Sequence, residues 1–197
     1  MHFKKIPVIL VICFAICLSV AYTAFSLLSE TRRPNLPIYG QIYDFRLIDE
    51  KGEEFSLSNL KGNIWIADFF FTTCGSICPV MSKNMAALHR SFELVDGVSM
   101  VSITVNPEID SSDVLSEYAQ KYNANTKKWH FLTGTREQIK DLAVKSFKIG
   151  SVDEPIFHSA KFVLVDRQGL IRGYYDGVES GGVSQVFQDV SLLLKER

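Results

Sequence analysis

Neither sign of charge dominates this sequence. Its 21 Lys and Arg are interspersed with 22 Asp and Glu, for a net charge of −1. With no basic stripe and no acidic tail, a polyanionic partner such as nucleic acid is not implied. Internal repeats and low-complexity tracts are also missing, which leaves no sign of a repeat architecture. Cysteine is scarce, at four in 197 residues. That length suits one domain of ordinary size plus an appendage, enough to bury a sizeable core.

The appendage is N-terminal. Residues 6–28, IPVILVICFAICLSVAYTAFSLL, carry no charge and are apolar apart from Ser19, Thr23 and Ser26. About 20 such residues in a helix cross a bilayer's hydrocarbon core. A cleaved signal peptide has a shorter apolar region and a small-residue cleavage site. Residues 19–26 offer only a weak one, and the stretches before Cys13 and Cys17 make poor lipoprotein boxes. The expectation is a basic stub at 1–5, an uncleaved signal anchor at 6–28 and a linker at 29–40 that includes TRRPNLPIYG. Lys4 and Lys5 before the span nearly balance Arg32 and Arg33 after it, so positive charge does not decide orientation. Cys13 and Cys17 share one face of the helix and read as lipid-facing or packing residues.

From residue 41 to 197 strand and helix patterns alternate. Ile42–Leu47 and Glu54–Leu57 flank the turn-like Asp49-Glu50-Lys51-Gly52 and predict a hairpin. Residues 64–71 are an apolar run of the kind a strand buried on both faces shows. Pro79 opens a helix with Val80, Leu88 and Phe92 inward. A strand over 98–105 follows, then a helix from Ser111 or Ser112 to Tyr122 and a strand over 129–132. Thr135 and Gln138 form a capping box for a helix reaching about Phe147. Lys161–Val165 and Leu170–Tyr175 flank Asp166-Arg167-Gln168-Gly169, a second hairpin, and an amphipathic helix covers Ser184–Leu194. The pattern is that of an α/β domain with a mixed sheet.

FFFTTCGSICPVM, residues 69–81, puts Cys74 and Cys78 where the buried strand ends and a helix begins. By residue type they fit an inert buried pair, a disulfide, a redox couple or part of a metal site. Backbone N–H groups and the helix dipole at such a corner favour thiolate over thiol. That favours metal binding or redox chemistry over inert packing.

A strand, a CxxC or CxxxC pair and a helix are how thioredoxin-like folds present their thiols. FTTCGSICPVM is similar to the F-T-x-C-x-x-x-C-P motif of the Sco/SenC family, thioredoxin-fold proteins that assemble the copper site of cytochrome c oxidase. VSITVNPEIDSSDVLSEYAQKY resembles that family's V-S-x-D-P-E-x-D segment, and WHFLTGT its W-x-x-L-T-G. FHSAKFVLVDRQGLIRGYYDG resembles the segment around its third ligand. The likeness spans nearly all of residues 40–195.

The resemblance implies a thioredoxin-like mixed sheet flanked by helices, behind the transmembrane helix. It also implies that His158 joins Cys74 and Cys78 as metal ligands. Read alone, a lone His before a strand is more often a hydrogen-bonded surface or core residue. Two thiolates and one imidazole suit copper, Cu(I) above all, while Cu(II) enters with an extra ligand and zinc with a water. Asp68, six residues before Cys74, stands where thioredoxins carry a buried proton-shuttling carboxylate; a strand-end carboxylate satisfied by an N–H or a lysine is the plainer reading. Met81 and Met85 read as core rather than thioether ligands. His2, His89 and His130 read as structural or solvated.

Gly75-Ser76 replaces the family's common Pro-Asp, Asn106 its Asp, and Ile109 its frequent Arg. These departures weaken inference about any particular partner while leaving the ligand set whole. The implied role is copper delivery to the CuA site on cytochrome c oxidase subunit II, with another periplasmic copper chaperone as a further partner. Its setting is the periplasmic face of a bacterial cytoplasmic membrane. The competing role is a thiol–disulfide oxidoreductase that reduces the cysteines of the apo-oxidase or acts in redox signalling, with Cys74 and Cys78 as its redox pair. A peroxidase is excluded, because neither cysteine has the Pro-x-x-x-Thr-x-x-Cys context and no Trp-Asn motif is present.

Overall fold

A computed structural model of the chain describes residues 12, 14–20, 22–23, 36–150 and 159–196. The chain divides into two units, Met1–Asn35 and Leu36–Arg197. In the first, residues 12, 14–20 and 22–23 are helical and exposed. The Ser19 and Thr23 hydroxyls donate back to the carbonyls of Ile16 and Val20. No helix among the described residues is long and apolar enough to cross a membrane. Much of the expected span, including Cys13, lies outside them.

The second unit is built on a six-stranded mixed sheet. Its strands are β1 (Gly40–Gln41), β4 (Ile64–Phe70), β5 (Val98–Thr104), β6 (Trp129–Leu132), β7 (Lys161–Val165) and β8 (Leu170–Asp176), in the order β1-β8-β7-β4-β5-β6. β4, β5 and β6 run parallel, whereas β7 and β8 are antiparallel to their neighbours. β2 (Arg46–Ile48) and β3 (Glu54–Ser56) form a separate hairpin, joined to the main sheet by the bridge Ile48–Thr133. The first hairpin is thus shorter than the sequence suggests: Asp49 accepts N–H bonds from Lys51 and Glu53 in a tight turn, and Ser56 caps the four-residue helix α1 (Leu57–Leu60).

All seven residues of β4 are buried, as an interior strand with parallel and antiparallel partners requires. Ile64, Ile66 and Phe70 enter the core under the helices α2 (Cys78–Phe92), α3 (Ser112–Lys121) and α5 (Ser180–Leu193). Trp65, Ala67 and Phe69 enter a second core with Leu47, Phe55 and Phe147. Full burial of each large side chain contributes about 1.5–3 kcal/mol. Asp68 therefore shares a face with Ile66 and Phe70, the face on which α2 lies.

Helix α2 begins at Cys78, with Pro79 in its first turn where a missing N–H costs nothing. Cys78, Met81, Met85, Leu88 and Phe92 form its buried stripe. Val80, expected inward, is 40% exposed because it lies off that stripe. Ser111 caps α3 through the Val114 N–H, and Thr135 with Gln138 caps α4 (Arg136–Asp141). A π-helical turn, Leu142–Ser146, then delivers Phe147 against Trp65 and Phe69. Helix α5 starts four residues before the expected Ser184. Asp176 takes the N–H groups of Val178 and Glu179 just ahead of it. Gly182 passes so close that a Cβ would lie 2.1 Å from the Asp176 carbonyl oxygen.

Residues 36–40, inside the expected linker, belong to the folded unit. The Tyr39 N–H donates to Ile171, and Arg172 donates to the Leu36 carbonyl while pairing with Asp166 and Glu196.

Candidate metal centre

The cysteine loop leaves the end of β4 and is held from beneath. Asp110, fully buried, accepts the Thr72 N–H at 3.1 Å and the hydroxyls of Thr72 and Thr104. The Val105 N–H donates to Phe70 at 2.8 Å, tying the ends of β4 and β5 together. Sequence reasoning left Asp110 without a role. The signal available was a threonine just past the end of β4 and another at the end of β5, with an acidic residue close behind the second.

Within the loop the Cys74 N–H donates to Phe71, and the Ile77 carbonyl accepts from Val80 and Met81 to start the helix. The Cys78 N–H then points at the Cys74 sulfur, 3.5 Å away, and the Ser76 hydroxyl lies 3.7 Å from that sulfur. Both thiols are free; Cys74 is half-buried and Cys78 buried. A Cβ at Gly75 would meet nothing within 4 Å, so the loop faces open space.

The two thiols differ strongly. Burial works against ionisation at Cys74. Hydrogen bonds from the Cys78 thiol, the Ser76 and Cys78 amides and the Ser76 hydroxyl outweigh it and hold the pKa down at about 7. Burial pushes Cys78 up to about 12, helped by the shared proton of Cys74 and the negative charges of Cys74 and Asp68.

Asp68 is 1% exposed, and its Oδ1 has no hydrogen-bond partner. Burial lifts it to about 7, against a hydrogen bond from Ser102, the residue in register on β5. Ser102 in turn accepts the Trp129 indole N–H. Neither an N–H nor a lysine satisfies the free oxygen, and the carboxylate sits close enough to Cys78 to raise its pKa.

His158 lies outside the described residues. The chain after it re-enters at Ser159 and Ala160. Ala160 packs against the core cluster that contains Cys78 and accepts the Gly177 N–H at 2.7 Å. Asn84 on α2 donates to the carbonyls of Gly177 and Val178. Antiparallel pairing of β7 with β4 puts Lys161 level with Phe69, near the end of β4 from which the cysteine loop departs. Met81 and Met85 are wholly buried core residues. His89 packs against Trp129, and His130 against Phe55, both with pKa values lowered by burial. His2 lies outside the described residues.

A family model described as SCO1/SenC matches residues 39–194. The chain belongs to the SCO1/SenC family. It is 34% identical over 161 residues to the SCO1 protein homolog of Bacillus subtilis, covering 78% of this chain and 83% of that one. The structure of BsSco, a Sco-family cytochrome c oxidase assembly protein with a disulfide switch, superposes with a TM-score of 0.72 at 30% identity. It covers 83% of this chain and 99% of BsSco. Yeast Sco1 with copper bound superposes with a TM-score of 0.62 at 28% identity, over 79% and 90% of the two chains. The fold is accordingly the thioredoxin-like α/β fold of this family.

Proposed function

We propose that this protein binds copper through Cys74, Cys78 and His158 and delivers it, as cargo, to the CuA site of cytochrome c oxidase subunit II. The observation that carries the reading is the pairing of a near-neutral thiol with a buried one at an open strand–helix corner. Two sulfurs are a soft donor set that fits Cu(I) better than harder cations, and one imidazole completes a low-coordinate site. Cu(II) is the secondary cargo. The copper-bound yeast relative supports the cargo, and BsSco's part in oxidase assembly supports the destination. For His158 the support is the family resemblance and the docking of Ala160 on the cysteine cluster.

The residues divide the work. Cys74 offers a thiolate near neutral pH and captures the metal first. Cys78 gives up its proton only when the cation's charge arrives, since ligation requires the thiolate. Asp68, with one oxygen free, is placed to accept that proton. Half-exposed Cys74 is the ligand an incoming thiol of the recipient reaches, so transfer proceeds by ligand exchange. The proposed organisation is a basic stub at 1–5, a membrane anchor at 6–28, a linker that ends at 35 rather than 40, and the metal-binding domain from 36 to 197. The domain would lie on the periplasmic side of a bacterial cytoplasmic membrane, where a second copper chaperone is a further partner.

The same thiol asymmetry favours a second reading, a thiol–disulfide oxidoreductase acting on the apo-oxidase cysteines or in redox signalling. There Cys74 attacks and Cys78 resolves. The His158→Ala variant separates the two. Under the copper reading its Cu(I) affinity falls at least a hundredfold while reduction of a small disulfide changes less than twofold. Unchanged copper affinity with slowed exchange, in a variant that keeps its circular dichroism, makes the reductase the better reading.

A further inference from the structure

Away from the thiols, three side chains converge where the β2–β3 hairpin turn meets the sheet's edge strand. One carboxylate oxygen each from Asp49 and Glu50 and one ring nitrogen of His130 lie within 4.8 Å of one another. Asp49 and Glu50 are 5% and 4% exposed. The buried Oε1 of Glu50 and Nδ1 of His130 have no hydrogen-bond partner.

Two oxygens of the group already accept backbone N–H groups. Glu50 Oε2 accepts the Phe131 N–H at 3.0 Å, and Asp49 Oδ1 accepts the N–H groups of Lys51 and Glu53 at 2.9 Å each. Lys51 Nζ stands 3.6 Å from Glu50 Oε1, on a side chain 46% exposed. Glu50 Oε1 thus has only the Lys51 ammonium, beyond hydrogen-bond reach, and His130 Nδ1 has no partner. Two buried polar atoms so placed are costly unless a ligand serves them.

We propose that Asp49, Glu50 and His130 form a second metal site, for a divalent cation of the zinc class. Two carboxylates and one imidazole are a hard-to-borderline donor set, unsuited to Cu(I) and suited to Zn²⁺, which takes nitrogen and oxygen ligands at about 2.0–2.2 Å. Two carboxylates and a neutral imidazole balance a dication, and the Lys51 ammonium, on a half-exposed side chain, is the cation the ion would displace from Glu50. Burial disfavours both the Glu50 carboxylate and the His130 imidazolium, so the ring is kept in the form that ligates. The ion would close a gap in the fold. Among the described residues the hairpin meets the chain just past β6 in one isolated bridge, Ile48–Thr133, and its turn reaches β6 through the Phe131 N–H to Glu50. An ion between that turn and His130 would fasten it further.

The test uses the full chain in detergent with all four cysteines changed to Ser, so that no thiolate holds zinc and the copper reading has no bearing on the result. Zn²⁺ alone is titrated by calorimetry, and bound metal is counted after desalting. One Zn²⁺ per chain and a melting temperature raised by several degrees are expected. Glu50→Gln, which keeps an acceptor for Phe131, and His130→Gln should each weaken binding at least a hundredfold and erase the thermal shift. Binding unchanged in both variants, or no binding by the parent, overturns the site. Should a variant fail to fold, the ¹⁵N resonances of the His130 ring in the parent decide. A shift of Nδ1 on adding Zn²⁺ upholds the site, and an unmoved spectrum overturns it.

Discussion

The Cys78 backbone N–H points at the Cys74 sulfur across 3.5 Å, so the helix that buries one cysteine also stabilises the thiolate of the other. It adds to the stronger hydrogen bond from the Cys78 thiol that holds Cys74 at about 7, while burial raises Cys78 to about 12, and so the pair is unequal.

In the reduced, copper-free chain, iodoacetamide at pH 7.5 should therefore modify Cys74 and spare Cys78. The Cys74 rate should reach half its plateau near pH 7, since the thiolate is the nucleophile. Peptide mass spectrometry over a pH series reads both sites. Equal labelling of the two, or a Cys74 midpoint above 8.5, would contradict the asymmetry.

Asp68 makes an opposite kind of prediction. Burial lifts its pKa from 3.8 to about 7, so the folded state holds the proton more tightly than the unfolded chain. The stability this contributes is fully present below about pH 4 and is lost as pH rises through about 7. Between pH 5 and 8.5 the loss is about 2–3 kcal/mol, at 1.36 kcal/mol per unit. Asp68→Asn should remove that slope and leave the variant more stable than its parent at pH 8.5. Urea unfolding of the copper-free reduced chain at the two pH values measures it. A gap between variant and parent that is the same at both would sink the assignment.

How far the sequence carried these readings depended on whether the cause was local. The apolar run of β4, the cap at Ser111 and the box at Thr135 and Gln138 are written in neighbouring residues, and each appears where expected. Cys74 and Cys78 were legible for the same reason, as a strand–helix corner with Pro79 in the first helical turn. What stayed hidden depends on distant residues. Asp110 acts on Thr72, 38 positions away, and Glu50 meets the Phe131 N–H across 81. The early start of α5 is set by Asp176, whose side chain caps ahead of a Gly-Gly pair that apolar periodicity cannot see. The exposure of Val80 follows from a single residue's shift in helical phase.

Asp110 is the base of the cysteine loop, and its removal should be felt both as instability and as loosened geometry. Asp110→Ala strands the Thr72 N–H and two threonine hydroxyls in a buried place. The cost should be about 3 kcal/mol, from a lost charge-assisted network and the donors left unpaired. At roughly 2–4 °C per kcal/mol for a chain of this size, melting should fall by about 6–12 °C. Scanning calorimetry checks the figure; a drop under 2 °C would mean that the loop is held by other contacts.

The central claim is that copper is held by Cys74, Cys78 and His158 together. X-ray absorption at the copper edge of the reduced chain, loaded with one equivalent of Cu(I), tests it most directly. The account predicts a first shell of two sulfurs and one nitrogen, which loses the nitrogen in His158→Ala and a sulfur in Cys74→Ser. A shell of sulfur alone, or one that His158→Ala leaves unchanged, would contradict it.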